Sequence, residues 1–393
     1  MQEFIVPSSK SISNRLLIIK YLSQSQEKIN NLSLADDTLL MQTLLNKIDT
    51  YNSEILFCDN AGTVTRFLIA LLALKEGIWK VDADSKMRER PINPLLESLR
   101  ELGAKIEHIE NQKKLPIQIV GGLLKGGKTI RIDSKLSSQF ISSLLLISPY
   151  IEKGLSIELN NDTVSMPYIE MTISLMKDFG AKINKIGNNL IINRSEYFFK
   201  GAEVENDWSS ACYAFEKLCI LKEGTLFIKN LIPNSLQADS VSIKHFSHFG
   251  IQYSFENKGL VIKYNAQHIS KENEILFDVE DSPDMFPSLA MASLFSNKKV
   301  IFKGIRSLEQ KESDRIKSML EGMKKIGANV NLEDNKFIIS GFYKQVSEDI
   351  IINTYNDHRI AMAFAIASLK LPNIKIDNKD CVSKSFPMFW DNI

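Results

Sequence analysis

The sequence contains few cysteines, and none is placed as a metal ligand or a disulfide partner would be. Cys58, Cys212, Cys219 and Cys381 show no close Cys–Cys or Cys–His spacing within the 393 residues. Close spacing is typical of zinc sites and of disulfide frameworks, so the pattern argues against both. We expect reduced thiols in a cytoplasmic protein without a metal site.

A strong net charge and long apolar segments are also missing. Lys and Arg number 48 against 47 Asp and Glu, which gives a net charge of +1. This balance argues against a surface that attracts nucleic acid or a membrane as a whole. The longest apolar runs, at 67–74 and 360–369, are too short to span a bilayer, and the N-terminus shows no signal-peptide pattern. We therefore expect small molecules as partners.

What the sequence does contain is a repeat. A polar helix start, an apolar helix, a turn and an alternating strand recur at 63–83, 137–159, 209–231, 285–305 and 358–376. An amphipathic helix that ends at a glycine alternates with this element, and the glycines are Gly103, Gly180, Gly250 and Gly327. The chain therefore reads as about six units of roughly 50 to 75 residues. Their strands and helices alternate, which predicts an α/β or α+β fold. Units of this length suit an array, and they could instead pack as two bodies of three.

Charged and hydroxyl residues concentrate where these units begin. Residues 4–6 predict a short strand that ends at Pro7. In residues 7–15, Lys10 and Arg15 then stand among serines, which predicts a turn that begins a helix. Similar starts lie at 60–66, 86–91, 137–139, 165–168, 281–284, 311–315, 356–359 and 381–387. Helix starts bind anions, and arginines bind carboxylates and phosphates in pairs of hydrogen bonds. If the starts converge, the implied ligand is small, polyanionic and phosphorylated.

Acid–base groups stand among these cations. Asp284 and Glu312 are the candidate carboxylates. Lys10 and His358 are the candidate proton carriers. Asp314 could form an ion pair with Arg315. Asp357 could orient His358 or cap the helix that follows, and we favour the cap.

The ordered motifs resemble one family. Residues 7–15, 60–66, 90–91, 137–139, 311–315 and 356–359 are similar to motifs of the 3-phosphoshikimate 1-carboxyvinyltransferase (5-enolpyruvylshikimate-3-phosphate synthase, EPSP synthase) family of enolpyruvyl transferases. Each motif alone is weak, but the ordered set is specific and extends from Lys10 to Lys384. The resemblance implies a two-domain inside-out α/β barrel of six βαβαββ-type repeats, three per domain. One domain would span 10–205, and the other would combine 1–9 with 206–393. The helix starts would face a cleft between them.

The resemblance also implies a reaction. The enolpyruvyl group of phosphoenolpyruvate would pass to the 5-hydroxyl of shikimate 3-phosphate, with release of phosphate. The resemblance implies that this reaction requires no metal and no organic cofactor. Asp284 would be the base toward that hydroxyl, Glu312 the acid at the methylene carbon, and Lys10 would assist phosphate departure. The residues implied for shikimate 3-phosphate are Lys10, Ser11, Arg15, Ser137, Ser138, Gln139, Ser165, Tyr168, Asp284 and Lys311. Those implied for phosphoenolpyruvate are Lys10, Gly62, Arg90, Gln139, Arg315, Arg359 and Lys384.

One departure from the family concerns inhibition. Many members have proline after the position of Arg66, whereas this chain has Phe67. Gly62 is retained, which favours sensitivity to glyphosate. Activity that millimolar glyphosate leaves unchanged would contradict this hypothesis.

Three alternatives remain at the level of sequence. The sister transferase that acts on UDP-N-acetylglucosamine characteristically has Lys-Asn where this chain has Lys10-Ser11, and a loop cysteine that is missing from residues 82–91. An RNA-end-processing cyclase would need a basic face, which the net charge does not favour. The third alternative is a non-catalytic phosphometabolite-binding protein, and the joint presence of Lys10, Asp284, Glu312 and Arg315 argues against it. We expect a monomeric enzyme.

Overall fold

The computed structural model describes residues 2–50, 55–110, 113–132, 137–160, 163–343 and 346–393. The chain divides into two compact units. The first body is Lys10–Val204, and the second body combines Met1–Ser9 with Glu205–Ile393. Glu205 therefore lies in the second body, one residue away from the boundary expected from sequence. The predicted domains and the predicted cleft stay predictions.

The chain starts with β1 (Gln2–Glu3), a strand of the second body. The described helices of the first body are α1 (Lys10–Ser23), α2 (Asp36–Thr50), α3 (Gly62–Leu74), α4 (Ser85–Glu89), α5 (Asn93–Glu101), α6 (Gln139–Ile147) and α7 (Met166–Asp178). Its described strands are β2 (Ile29–Asn30), β3 (Ile55–Phe57), β4 (Gly77–Asp82), β5 (Lys105–His108), β6 (Ile117–Gly121), β7 (Thr129–Arg131), β8 (Leu155–Glu158), β9 (Lys182–Ile186), β10 (Asn189–Asn193) and β11 (Ala202–Glu203).

The second body continues the same alternation. Its described helices are α8 (Trp208–Leu221), α9 (Ser242–Ser247), α10 (Phe286–Leu294), α11 (Arg315–Lys325) and α12 (His358–Ala367). Its strands after β1 are β12 (Thr225–Lys229), β13 (Phe249–Glu256), β14 (Gly259–Ile269), β15 (Glu274–Asp278), β16 (Lys299–Lys303), β17 (Ala328–Glu333), β18 (Lys336–Phe342), β19 (Ile350–Ile352) and β20 (Ile374–Ile376).

Four sheets share one topology. In the sheet β3-β4-β6-β5 the first pair is parallel, and β6 runs antiparallel to both β4 and β5. The sheets β7-β8-β10-β9, β1-β12-β14-β13 and β15-β16-β18-β17 have the same order. In three of these sheets the parallel pair is joined through a helix and followed by a second helix and a hairpin, which is a βαβαββ unit. In the fourth sheet the whole first body lies between β1 and β12 in the sequence. The remaining sheets of the described chain, β11-β2 and β19-β20, are parallel pairs alone, so two of the six units are shorter.

The apolar helices form the inside of each body. In the second body α8, α10 and α12 pack against one another, and in the first body α3 packs against α6. These helices are buried nearly all round because their sequences are apolar nearly all round. The strands alternate instead, with Ile117 and Ile119 of β6 buried and the residues between them less so. A sheet with one buried face and one wetter face suits an outer layer around such helices.

Most helix ends follow the sequence prediction. Gly103, Gly180 and Gly327 follow the ends of α5, α7 and α11 with positive φ angles of 107°, 97° and 83°, a conformation that glycine adopts without strain. Gly250 differs because α9 ends at Ser247, and Gly250 lies inside β13. Of the helices that the structure describes, none has the length and apolar character that crossing a membrane would take.

The N-terminal prediction needs a small correction. The strand expected at 4–6 is β1 at Gln2–Glu3, and the ladder extends to Phe4, whose N–H donates to Phe227 O at 2.9 Å. The expected helix begins at Lys10.

Candidate active site

Lys10 begins α1 and is paired with a carboxylate. Its Nζ lies 2.9 Å from Oδ2 of Asp37, in the first turn of α2. The two side chains are only 17% and 9% exposed. Asp37 therefore fixes the position of the ammonium group of Lys10. Sequence reasoning missed Asp37, because an acidic residue in the first turn of a helix is ordinary.

Arg15, one turn later, is buried and joins α1 to α7. Its Nε donates to Thr172 Oγ1 at 2.7 Å, its Nη1 to Ser11 O at 2.8 Å and its Nη2 to Tyr168 O at 3.2 Å. The guanidinium carbon also lies 5.5 Å from the ring centre of Phe67. Burial lowers the pKa of Arg15 to about 10, which leaves it charged at neutral pH. The structure thus brings the predicted residues Ser11, Arg15 and Tyr168 together.

The starts of α6 and α7 hold the predicted serines. The backbone N–H of Gln139 donates to Ser137 Oγ at 3.2 Å, and Ser138 is buried beside it. Ser165, before α7, is buried with φ 56° and ψ 44°. The left-handed region is costly for a residue other than glycine, and such strain concentrates at functional sites.

Gln139 connects α6 to α3. It accepts from Arg66 Nη1 at 2.5 Å and donates from Nε2 to Thr63 Oγ1 at 3.0 Å. Arg66 Nη2 also donates to Pro91 O at 2.9 Å. Arg66 was not among the predicted ligand-binding residues. The position of Arg66 in the motif at 60–66 is the sequence signal that could have identified it.

Gly62 starts α3 under two guanidinium groups. A Cβ atom at Gly62 would lie 2.7 Å from Arg66 Nη1 and 2.9 Å from Arg90 Nη1. Only glycine lets both arginines approach the backbone this closely. The predicted residues Gly62, Arg90 and Gln139 therefore lie in one group around Arg66.

The second body gathers the other predicted residues around Arg315. This arginine begins α11 and is 1% exposed. Its Nη1 donates to Asp284 Oδ1 at 2.8 Å, its Nη2 to Glu312 Oε2 at 2.8 Å, and its Nε to Asp357 Oδ2 at 2.9 Å. Three carboxylates thus surround one guanidinium group.

Asp284 joins this arginine to a second one. Its other oxygen, Oδ2, accepts from Arg359 Nη2 at 2.9 Å, and Lys311 Nζ lies 3.8 Å from Oδ1. Lys384 Nζ lies 3.8 Å from Glu312 Oε1. The group therefore contains all six of the predicted residues Asp284, Lys311, Glu312, Arg315, Arg359 and Lys384.

The charges of the group change the pKa values of its members. Burial alone would raise the pKa of Asp284, but Arg359, Lys311 and Arg315 outweigh burial and hold this pKa well below its usual range. Burial would lower the pKa of Arg315, but Asp357, Glu312 and Asp284 outweigh burial and raise it. At neutral pH Asp284 is a carboxylate and Arg315 is a cation.

Two open assignments from the sequence are resolved here. Asp357 caps α12 by accepting from the N–H of Arg359 at 3.0 Å, which confirms the cap. Its bond to Arg315 was not anticipated. Asp314 caps α11 by accepting from the N–H of Lys317 at 3.0 Å, and Arg315 donates instead to Asp284, Glu312 and Asp357. His358 is buried, with Nδ1 3.9 Å from Asp357 Oδ1, beyond hydrogen-bond distance.

Comparisons with known proteins find similar sequences and a similar fold. A family profile described as EPSP synthase (3-phosphoshikimate 1-carboxyvinyltransferase) matches residues 46–393. The chain is 36% identical over 391 residues to the 3-phosphoshikimate 1-carboxyvinyltransferase of Bacteroides fragilis strain YCH46, covering 99% of this chain and 93% of the relative. It is also 36% identical over 418 residues to the enzyme of that name from Buchnera aphidicola subsp. Cinara cedri, covering 98% and 93%.

A solved structure shares the fold. EPSP synthase from Acinetobacter baumannii superposes with a TM-score of 0.79 at 22% identity, covering 99% of this chain and 94% of the other. The two-domain α/β fold class expected from the resemblance is confirmed by this likeness.

Proposed function

The chain belongs to the EPSP synthase (3-phosphoshikimate 1-carboxyvinyltransferase) family, and from this premise we propose which of its side chains carry the reaction. It is a transferase of the shikimate pathway, in aromatic amino acid biosynthesis. It moves the enolpyruvyl group of phosphoenolpyruvate to the 5-hydroxyl of shikimate 3-phosphate and releases phosphate.

The observation that carries the residue assignment is the group around Arg315. A partly buried carboxylate, Asp284, is held between Arg315 and Arg359, beside Lys311. We assign Asp284 as the base that accepts the proton of the 5-hydroxyl, and Lys311 as a ligand of shikimate 3-phosphate. Arg315 and Arg359 would bind phosphoenolpyruvate, since a guanidinium group suits carboxylate and phosphate oxygens.

Glu312 is the proposed acid. It lies between Arg315 and Lys384 in this group. Protonation of the methylene carbon of phosphoenolpyruvate makes the adjacent carbon electrophilic, and the 5-oxygen then adds to it. The resulting tetrahedral intermediate loses phosphate from that carbon and a proton from its methyl group, which the Glu312 carboxylate accepts, and the carbon–carbon double bond forms again. Lys384 would stabilise the charge of the phosphate group, as preorganised cations do in such steps.

The first body supplies the remaining proposed ligands. Lys10, held by Asp37, would contact both substrates and assist phosphate departure. The proposed ligands of shikimate 3-phosphate here are Lys10, Ser11, Arg15, Ser137, Ser138, Gln139, Ser165 and Tyr168. Those proposed for phosphoenolpyruvate are Lys10, Gly62, Arg90 and Gln139. The grouping of Gly62, Arg90 and Gln139 around Arg66 supports this second set.

Phosphate release from the two substrates tests the assignment. We expect the native chain to release phosphate and Asp284→Ala to release it at least about a hundredfold more slowly, because general base catalysis contributes about 10²–10⁴-fold to the rate. Glu309→Ala, which changes an exposed carboxylate of the same body, should keep the native rate. Binding of shikimate 3-phosphate without any phosphate release would instead favour the binding-protein alternative.

We also propose a cytoplasmic monomer without a nucleic-acid partner. All four cysteines are free, as expected in a reducing compartment, and the net charge of +1 provides little attraction for nucleic acid. Light scattering and cell fractionation test the mass and the location.

A further inference from the structure

Asp284 is bound in the way that a substrate carboxylate would be. Each of its two oxygens accepts from a different arginine, Nη1 of Arg315 at 2.8 Å and Nη2 of Arg359 at 2.9 Å. Both arginines are nearly buried, whereas the side chain of Asp284 keeps 23% of its surface exposed. The carboxylate therefore lies at the accessible side of two arginines that the proposed function assigns to phosphoenolpyruvate.

Asp357 contacts the same arginine in a different manner. It is 0% exposed and accepts from Nε of Arg315 at 2.9 Å, the donor nearest the helix backbone. It also accepts from Ser313 Oγ at 3.1 Å and from the N–H of Arg359 at 3.0 Å. One buried carboxylate thus holds the guanidinium group of Arg315 and the backbone start of the helix that carries Arg359. It leaves Nη1 of Arg315 and Nη2 of Arg359 to other acceptors.

We propose that the carboxylate of Asp284 competes with the carboxylate of phosphoenolpyruvate for Arg315 Nη1 and Arg359 Nη2, while Asp357 is the permanent positioning residue of both arginines. The inference rests on the proposed function, because it takes these arginines as the phosphoenolpyruvate site. It adds that Asp284 weakens the binding of this substrate and that Asp357 strengthens it.

The competition has a chemical consequence for the base. A carboxylate whose pKa is held far below its usual range is a poor proton acceptor, since general bases work best with a pKa near the working pH. When the substrate carboxylate takes the two Nη atoms, Asp284 keeps Lys311, at 3.8 Å, as its cationic neighbour. Loss of two arginine contacts raises the basicity of Asp284. Binding of phosphoenolpyruvate thereby makes the base available.

Opposite effects of two matched variants test the proposal. Asp284→Asn and Asp357→Asn each remove one negative charge from the surroundings of Arg315. We expect Asp284→Asn to lower the Kd of phosphoenolpyruvate, titrated calorimetrically without the second substrate, by about tenfold. We expect Asp357→Asn to raise this Kd by about tenfold, because the variant weakens the hydrogen bonds that position Arg315 and the start of α12. Glu309→Gln, the same charge change at an exposed residue, should leave the Kd unchanged.

Each other outcome overturns the proposal. An unchanged or higher Kd in Asp284→Asn means that Asp284 does not compete. A lower Kd in both variants means that local charge alone sets the affinity. If Asp357→Asn does not fold, the Kd values of Asp284→Asn and Asp284→Ala, compared with the Kd of Glu309→Gln, still show whether Asp284 competes. Phosphate release by the native chain separates the two hypotheses. If the native chain releases no phosphate but Asp284→Asn binds phosphoenolpyruvate more tightly, only the proposed reaction is rejected. If the native chain releases phosphate normally but Asp284→Asn binds phosphoenolpyruvate with unchanged Kd, only the competition is rejected.

Discussion

At the scale of single residues, the pairing of Lys10 with Asp37 explains how a flexible cation can act at a fixed point. A lysine side chain has many rotamers, and ordering it costs entropy. The nearly buried carboxylate 2.9 Å from Nζ reduces this freedom before a substrate binds. Preorganisation of this kind is what makes a charge useful in a transition state.

We predict that Asp37→Asn lowers kcat/KM by about tenfold, because Lys10 loses a charge-assisted hydrogen bond worth roughly 1.5–3 kcal/mol. Phosphate release at varied phosphoenolpyruvate concentration measures it. Asp36→Asn is the matched control, since it removes the same charge from the same helix turn at an exposed position. Equal activity in the two variants would show that Asp37 has no positioning role.

The charged residues themselves could be predicted from sequence, but most of their partners could not. Lys10, Asp284 and Arg315 stand at helix starts within ordered motifs, so their residue types and places are informative. Asp37 and Asp357 also stand at helix starts, where an aspartate commonly caps the helix. Only the packing of α1 against α2 brings Asp37 to Lys10.

At the scale of elements, helix α8 carries a carboxyl group in an apolar setting. Glu216 is fully buried, and neither of its oxygens has a hydrogen-bond partner among the described residues. Burial raises its pKa well above the ordinary value, so the folded chain holds it neutral. The unfolded chain ionises it above a pH of about 4.3.

This difference makes stability depend on pH with a definite sign. Between the ordinary pKa of the unfolded state and the raised pKa of the folded state, the folded chain binds one more proton, so the unfolding free energy falls as pH rises above about 4.3. We predict that Glu216→Met raises the unfolding free energy, and raises it more at pH 8 than at pH 5, by about 1 kcal/mol or more. Urea unfolding at both pH values measures the change.

Glu223→Met is the control for this prediction, because Glu223 follows the same helix and is exposed. Its effect should be small and equal at both pH values. A Glu216→Met gain that is no larger at pH 8 than at pH 5 would mean that Glu216 is ionised in the folded chain.

The elements were predictable where local chemistry decides them. Glycines end α5, α7 and α11 as expected, and apolar runs form the inner helices. The shorter units at β11-β2 and β19-β20 were not predictable, because a missing hairpin leaves no local signal. In addition, β11 pairs with β2 from a distant part of the sequence. Similarly, β1 pairs with β12 more than two hundred residues away.

At the scale of the whole molecule, the chain passes between its bodies at 9–10 and at 204–205. Within the second body the two crossing segments pair, with Ser9 N–H donating to Glu205 O at 2.9 Å and Asp207 N–H to Pro7 O at 2.8 Å. Each body has apolar helices of its own at its centre. Cooperative units of stability often follow such divisions.

The cysteines report on the two bodies separately. Cys58 is buried in the first body, and Cys212 and Cys219 are buried in α8 of the second body, whereas Cys381 is partly exposed. Burial raises the pKa of Cys58 to about 12, so it reacts with a thiol reagent only after its surroundings open. Labelling rates in mild urea therefore measure the opening of each body.

We predict that shikimate 3-phosphate alone slows the labelling of Cys58 by a larger factor than that of Cys212 and Cys219, because most of its proposed ligands lie in the first body. A ligand at a hundred times its Kd adds about 2.7 kcal/mol to the state that binds it, which corresponds to roughly a hundredfold slower labelling. Mass spectrometry of the alkylated peptides measures each site, with inorganic phosphate as the control ligand. Equal slowing at all three cysteines would show that the two bodies open as one unit, and stronger slowing at Cys212 would move the main part of the shikimate 3-phosphate site to the second body.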